Sequence, residues 1–296
     1  MIGSREHAPV TPSIKAMVET PSGKDVPYEN FPVGSWLLPA HLRPHIAIFY
    51  AFARAADDIA DNPDLGPEEK IRRLDGFESA LLGRGGDDAA YGKARAMGAS
   101  LSETGVTSRH CVDLLAAFKQ DATKHRYHSW GDLIAYCALS AAPVGRFLLD
   151  LHGGSKLGYG PSDALCMALQ IINHLQDCQD DFRTLDRVYL PMDWMTAAGA
   201  RPEDLSATST PTGLRHVIDW TLGGVDALLR DADNLPGALR SRRLAMESAV
   251  IIHIARALTG RLYSSDPLAA RVELTKPKFL WCGLTGSLRG GFSGWL

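Results

Sequence analysis

The sequence predicts an all-α protein built as one helical domain, and three observations predict it. Apolar residues recur at three- and four-residue intervals through most of the chain. Convincing period-2 alternation is found nowhere, and no internal stretch is long enough or polar enough to act as a linker between domains. Two of the helical segments also carry carboxylates at four-residue spacing among Ala, Ile, Leu and Phe.

The 296 residues, 45% of them hydrophobic, suffice for a substantial core. A net charge of −3 leaves no basic footprint, so nucleic acid is not an expected partner. Cys111, Cys137, Cys166, Cys178 and Cys282 are odd in number and lack a Cys-x-x-Cys pair, so neither a disulfide framework nor a zinc site is expected. A reducing cytoplasm fits that usage. Residues 1–26 have no signal-peptide apolar core, and no run is expected to reach the ~18 apolar residues that span a bilayer. Any membrane contact is therefore expected to be peripheral.

Residues 1–27 carry Pro9, Pro12, Pro21 and Pro27 among polar residues and are expected to form an irregular leader, with the structured domain over 28–265. Glu29 to Pro39 reads as loop or a short turn of helix, and Pro44 suits the first turn of a helix that Asn62-Pro63 ends. Periodicity resumes from Pro67 to Leu82 with Ile71, Leu74, Phe77 and Leu81 inward, before Gly83-Arg-Gly-Gly86 breaks it. A weaker Ala-rich helix follows to about Thr104, then one from Ser108 to about Arg126 with Val112, Leu115 and Phe118 on one face. Trp130 to Leu151 is helical, but Pro143 and its small neighbours, Val144 and Gly145 among them, imply a kink. That small bulk either permits close helix packing or shapes an apolar channel. A helix is expected from about Ser162 to Phe182, after which Asp186 to Pro191 leaves as irregular chain. Two long helices, roughly 212–233 and 238–263, complete the domain. Residues 266–296 scatter aromatics and basic residues among glycines and read as a loose tail, a flap or a membrane-surface contact.

Residues three and four apart share a helix face, so Tyr50, Arg54, Asp57, Asp58 and Asp61 make one polar stripe. Asn173, Asp177 and Asp181 make a second. Carboxylates held together repel one another unless a cation sits between them, and hard oxygen donors suit Mg2+. Facing one another, the stripes would hold several divalent ions around a diphosphate. Arg54 and Arg187 would neutralise that group as it departs, and water-excluding apolar or aromatic walls would shelter the carbocation left behind. Arg187 and Tyr189, just after a helix, could touch that ligand or simply anchor the helix end. His174 lies about 100° away from Asn173 on the helix wheel and is read as packing. There is no Gly-x-x-x-x-Gly-Lys phosphate loop and no calcium-hand spacing. Nor does a Gly-x-Gly-x-x-Gly follow a strand pattern, so no nicotinamide cofactor is expected.

Tyr50-Ala-Phe-Ala-Arg-Ala-Ala-Asp-Asp-Ile-Ala-Asp61, with Asn173-His-Leu-Gln-Asp-Cys-Gln-Asp-Asp181 and Asp186-Arg-Val-Tyr189, resembles the two aspartate-rich motifs of the squalene/phytoene synthase family, class I trans-isoprenoid synthases. The resemblance covers about residues 28–265. It implies a helical bundle with a central channel and three Mg2+ ions on Asp57, Asp58, Asp61, Asn173, Asp177 and Asp181. It also implies diphosphate or channel contacts from Tyr50, Arg54, Tyr136, Gln170, Arg187 and Tyr189. Asn30-Phe31 stands where many relatives have Ser-Phe, at a substrate-binding position, and Ala53 stands where many have Cys. Glu29-Asn-Phe-Pro-Val, Arg43-Pro-His, Tyr136 to Arg146 and Asp266 to Val272 are similar in phrasing to the bacterial hydroxysqualene-forming branch. That branch implies presqualene diphosphate as substrate, a presqualene diphosphate synthase upstream and a flavin-dependent squalene-forming reductase downstream. Head-to-head condensation of two farnesyl or longer prenyl diphosphates, or non-catalytic binding of a prenyl lipid, are the alternative readings.

Overall fold

The computed structural model describes residues 39–84, 88–154 and 156–274. The leader, the Glu29 strip with Asn30, and the tail from 275 onward lie outside the described residues.

Among the described residues the chain forms twelve α-helices and one two-stranded parallel sheet. The helices are α1 Arg43–Ala60, α2 Pro67–Leu81, α3 Gly92–Thr104, α4 Arg109–Asp121, α5 Trp130–Ser140, α6 Ala142–Leu151, α7 Tyr159–Gln176, α8 Cys178–Leu185, α9 Met192–Ala197, α10 Thr212–Ala232, α11 Leu235–Ala238 and α12 Arg242–Ser264. The strands are β1 Arg126–Tyr127 and β2 Val188–Pro191. Proline stands at the first turn of α1, α2, α6 and α11, where its missing N–H has no intrahelical partner to lose.

The core forms two buried clusters. One gathers α1 to α4 with Phe147, Leu149 and Leu151 of α6, and holds a stacked pair, Phe49 on Phe147, with centroids 4.1 Å apart. The other gathers α5, α7, β2, α10 and α12 around Ile171, Ile172, Val217, Ile218 and Leu258. The first acidic stripe rides on a helix of one cluster and the second on a helix of the other.

Four elements depart from the sequence reading. The helix expected to reach Arg126 ends at Asp121, because the N–H groups of Thr123 and Lys124 both turn back to the Gln120 carbonyl. Its buried face is Cys111, Leu114, Leu115 and Ala117, with Val112 and Phe118 only half-buried, as is Ile71 on α2. The release of His125 to Tyr127 allows the second departure. Asp186 to Pro191 is not irregular: Val188 donates to the His125 carbonyl and pairs with Arg126, too short a ladder to leave an alternating pattern. The Trp130–Leu151 stretch, with hydropathy 1.4, does meet the length and hydropathy of a membrane span, contrary to expectation, yet half of it is buried (50%). It breaks at Ala141, as Pro143 implied.

The fourth departure concerns the second stripe. Its helix begins at Tyr159 and bends at Asp177, whose φ of −106° and ψ of 7° lie in the sparsely populated bridge region. The ladder nevertheless runs through the bend, since Asp177 N–H donates to Asn173 and Asp181 N–H donates to Asp177, so the i, i+4, i+8 order survives.

Candidate active site

The chain after α8 is turned inward by one residue. Asp186 takes a left-handed conformation, φ 52°, the one positive φ outside glycine among the described residues. Asp tolerates that region because its short polar side chain bonds locally. Arg126 fixes it, donating from Nη2 to Asp186 Oδ1 at 2.5 Å and also to its carbonyl. Arg187, the next residue, is thereby driven into the core, 6% exposed.

Arg187 then links the two motifs. Its Nη1 donates to Asp61 Oδ1 at 2.7 Å, and its Nη2 reaches the Asp121 carbonyl at 3.2 Å. Burial works against the guanidinium charge, but Tyr189, Asp61 and Asp121 together raise its pKa above the ordinary value. Asp57, Asp58 and Asp177 are also compensated by arginines. Arg54 lies 3.6 Å from both Asp57 and Asp58, and Arg271 lies 3.1 Å from Asp177.

Tyr50, Arg54, Asp57 and Asp61 are half-buried on one face of α1, as are Asn173, Asp177 and Asp181 along α7 and α8. Asp58 differs: it is buried, 6% exposed, beside Arg54. Asp61 from the first motif and Asp181 from the second both act on the charge of the Tyr189 hydroxyl. Among the described residues no three His, Cys, Asp or Glu side chains already converge as a metal cluster. The donors nonetheless suit a hard cation. All are oxygens, and Asn173 Oδ1 is buried without a protein partner.

An aromatic wall adjoins Asp121, whose carbonyl accepts from Arg187 and whose carboxylate accepts from Tyr136. Tyr127 and Tyr189 are stacked at 5.5 Å, Tyr136 stands 5.1 Å and 5.8 Å from them, and His174 lies flat on Tyr189 at 3.5 Å. Burial raises the pKa of all three phenols, so they stay neutral. Burial lowers His174 to about 3, leaving a neutral ring that bonds Gln170 at 3.1 Å. Gln170 is thus tied to this wall. Val144 is half-buried and Gly145 buried on α6. A Cβ on Gly145 would meet Ser162 Oγ at 2.3 Å and Cys166 Sγ at 2.7 Å, so this glycine allows α6 to pack closely on α7.

Asp121 and Tyr127 were not singled out from the sequence. Asp121 ends α4, is 5% exposed, and accepts from the Tyr136 hydroxyl at 3.0 Å. Burial pushes its carboxyl up to about 7, with Arg187 and the Tyr136 bond working against the shift. Nothing in the sequence marked Asp121, because the helix was expected to run on to about Arg126 and would have left this residue in its interior.

Comparison with known proteins places this arrangement. The sequence model of the squalene/phytoene synthase family matches residues 26–278. A hydroxysqualene synthase of Rhodopseudomonas palustris is 44% identical over 88% of this chain and 89% of the relative. One of Sinorhizobium fredii is 41% identical over 86% and 87%. The crystal structure of squalene synthase HpnC from Alicyclobacillus acidocaldarius superposes with a TM-score of 0.68 at 32% identity, over 79% of this chain and 87% of that one. An all-α bundle with a carboxylate stripe on each of two helical segments, matched along most of its length, belongs to the squalene/phytoene synthase family.

Proposed function

We propose that this enzyme converts presqualene diphosphate and water to hydroxysqualene and diphosphate, with Mg2+ as its metal. The observation that carries this reading is Arg187, whose side chain bonds Asp61 of the first stripe while its N–H bonds the backbone carbonyl of Asp181 in the second, near a cluster of three tyrosines. The similarity to proteins named hydroxysqualene synthase favours it over condensation of two linear diphosphates.

Asp57, Asp61, Asn173, Asp177 and Asp181 would hold the metal, while Asp58 keeps Arg54 in place. When bound, Mg2+ supplies charge neutralisation for the departing diphosphate. Arg54 and Arg187 are positioned to add to that neutralisation at the same end of the site. Once the carbon–oxygen bond breaks, the cation needs electron-rich, dry surroundings. Tyr127, Tyr136 and Tyr189 offer ring faces, and their buried hydroxyls stay protonated, so no phenolate charge stands beside the cation to trap it. Water attack on the rearranged cation then yields the alcohol. No electrons are gained, so no nicotinamide is needed.

Asp57→Asn and Asp177→Asn are the direct test. Each is expected to lower hydroxysqualene formation by roughly 100-fold or more while the circular dichroism stays helical. Turnover within a few-fold of the unmodified enzyme in either variant would remove the carboxylate stripes from the mechanism.

A further inference from the structure

Two buried oxygens at the floor of the site have no protein partner. Asp121 Oδ2 is occupied by the Tyr136 hydroxyl, but Asp121 Oδ1 accepts no bond. The Tyr127 hydroxyl, on a side chain with 0% exposure, is likewise unpaired. The Tyr136 ring, whose hydroxyl bonds Asp121 Oδ2 at 3.0 Å, stands 5.1 Å from the Tyr127 ring, so the two orphan oxygens share one neighbourhood, yet no direct hydrogen bond joins them. Buried polar atoms are almost always hydrogen-bonded, and a single water can serve an acceptor and a hydroxyl at once.

The position of this pair matters as much as its chemistry. Arg187 touches the Asp121 carbonyl with one nitrogen and Asp61 with another, so Asp121 is one guanidinium away from the carboxylate stripe. Tyr127 and Tyr136 belong to the aromatic wall itself. A water held here is close to the cation's shelter but screened from bulk solvent.

We propose that Asp121 and Tyr127 hold the water that ends the reaction, and that the Asp121 carboxylate takes its proton. This rests on the hydroxysqualene reading above. The Tyr127 O–H donates to the water oxygen, and the water donates one O–H to Asp121 Oδ1. The remaining lone pair forms the carbon–oxygen bond to the cationic carbon. One water O–H bond breaks, its electron pair stays on oxygen, and the proton passes to Asp121. Nothing is oxidised or reduced. A carboxyl already drawn toward neutral pH is well matched to that proton.

The test is a ratio. The purified full chain, with Mg2+ and presqualene diphosphate, is assayed for diphosphate released and for hydroxysqualene formed, alongside Asp121→Asn and Tyr127→Phe. The unmodified enzyme should give nearly one alcohol per diphosphate. Asp121→Asn should lower that ratio by roughly tenfold or more, the missing carbon appearing as hydrocarbons formed by proton loss. Tyr127→Phe, which removes a single oxygen and survives if the Asn variant fails to fold, should lower it several-fold. If both variants slow diphosphate release and alcohol formation in parallel, keeping the ratio, Asp121 merely positions Tyr136 and Arg187, and the water site is overturned. If the unmodified enzyme releases diphosphate without alcohol, the hydroxysqualene reading itself fails first.

Discussion

Arg187 and Asp121 show how single residues set the electrostatics of the candidate site. Arg187 is buried against Asp61, and a buried ion pair broken on one side leaves the other charge uncompensated. Arg187→Met is therefore expected to destabilise the metal-free fold by about 3 kcal/mol, read by urea unfolding. An unchanged midpoint would mean that Asp61 is solvated well enough to stand alone. The pH dependence of stability carries two opposing limbs. The Asp121 carboxyl binds its proton more tightly in the folded chain, so its contribution is full below about pH 4 and lost as pH rises through about 7. His174 works the other way: with its pKa lowered from 6.5 to about 3, its contribution is full above 6.5 and lost as pH falls toward 3. Asp121→Asn should flatten the alkaline limb, by up to on the order of 1.4 kcal/mol per pH unit between those values, and leave the acid limb standing. Equal slopes for variant and unmodified enzyme would contradict the shift at Asp121.

At the scale of elements, the turn at Asp186 aims Arg187. A β-branched residue in the left-handed region costs roughly 1–2 kcal/mol, whereas glycine adopts it freely. Asp186→Val should therefore lose more activity than Asp186→Gly, although both lose the Arg126 bond. Equal losses would assign the effect to Arg126 instead. Gly145 makes a second element-level test. Valine there drives into Ser162 and Cys166 on α7, and overpacking of this kind costs about 1–3 kcal/mol, visible as a lowered melting temperature. Both acidic stripes were legible in the sequence because a helix writes its faces at fixed spacing, and so was the break near Pro143. The bend at Asp177 was not, since no proline or glycine marks it. Asp121 and the paired strands were not legible either, for their partners lie far along the chain: Asp121 meets Tyr136 and Arg187, and Arg126 meets Val188.

The whole molecule sets the site on the seam between two hydrophobic clusters, with α1 in one and α7 and β2 in the other. A ligand that draws the two carboxylate stripes together should tighten that seam. Mg2+ with inorganic diphosphate is expected to raise the melting temperature, by about 2–4 °C for each kcal/mol of binding, and more than either component alone. An identical shift from diphosphate alone would mean that Arg54 and Arg187 bind it without the metal. The segment through Arg271 and Val272, whose backbone carbonyl accepts from Gln176, crosses the second stripe and should respond as Asp177 changes partners.

The most direct measurement is product analysis of the purified protein with Mg2+, given presqualene diphosphate or farnesyl diphosphate separately, each with and without NADPH. Hydroxysqualene from presqualene diphosphate, unaffected by NADPH, is the result expected. Presqualene diphosphate accumulating from farnesyl diphosphate, with presqualene diphosphate itself left unconsumed, would contradict it and place the chain among the condensing enzymes.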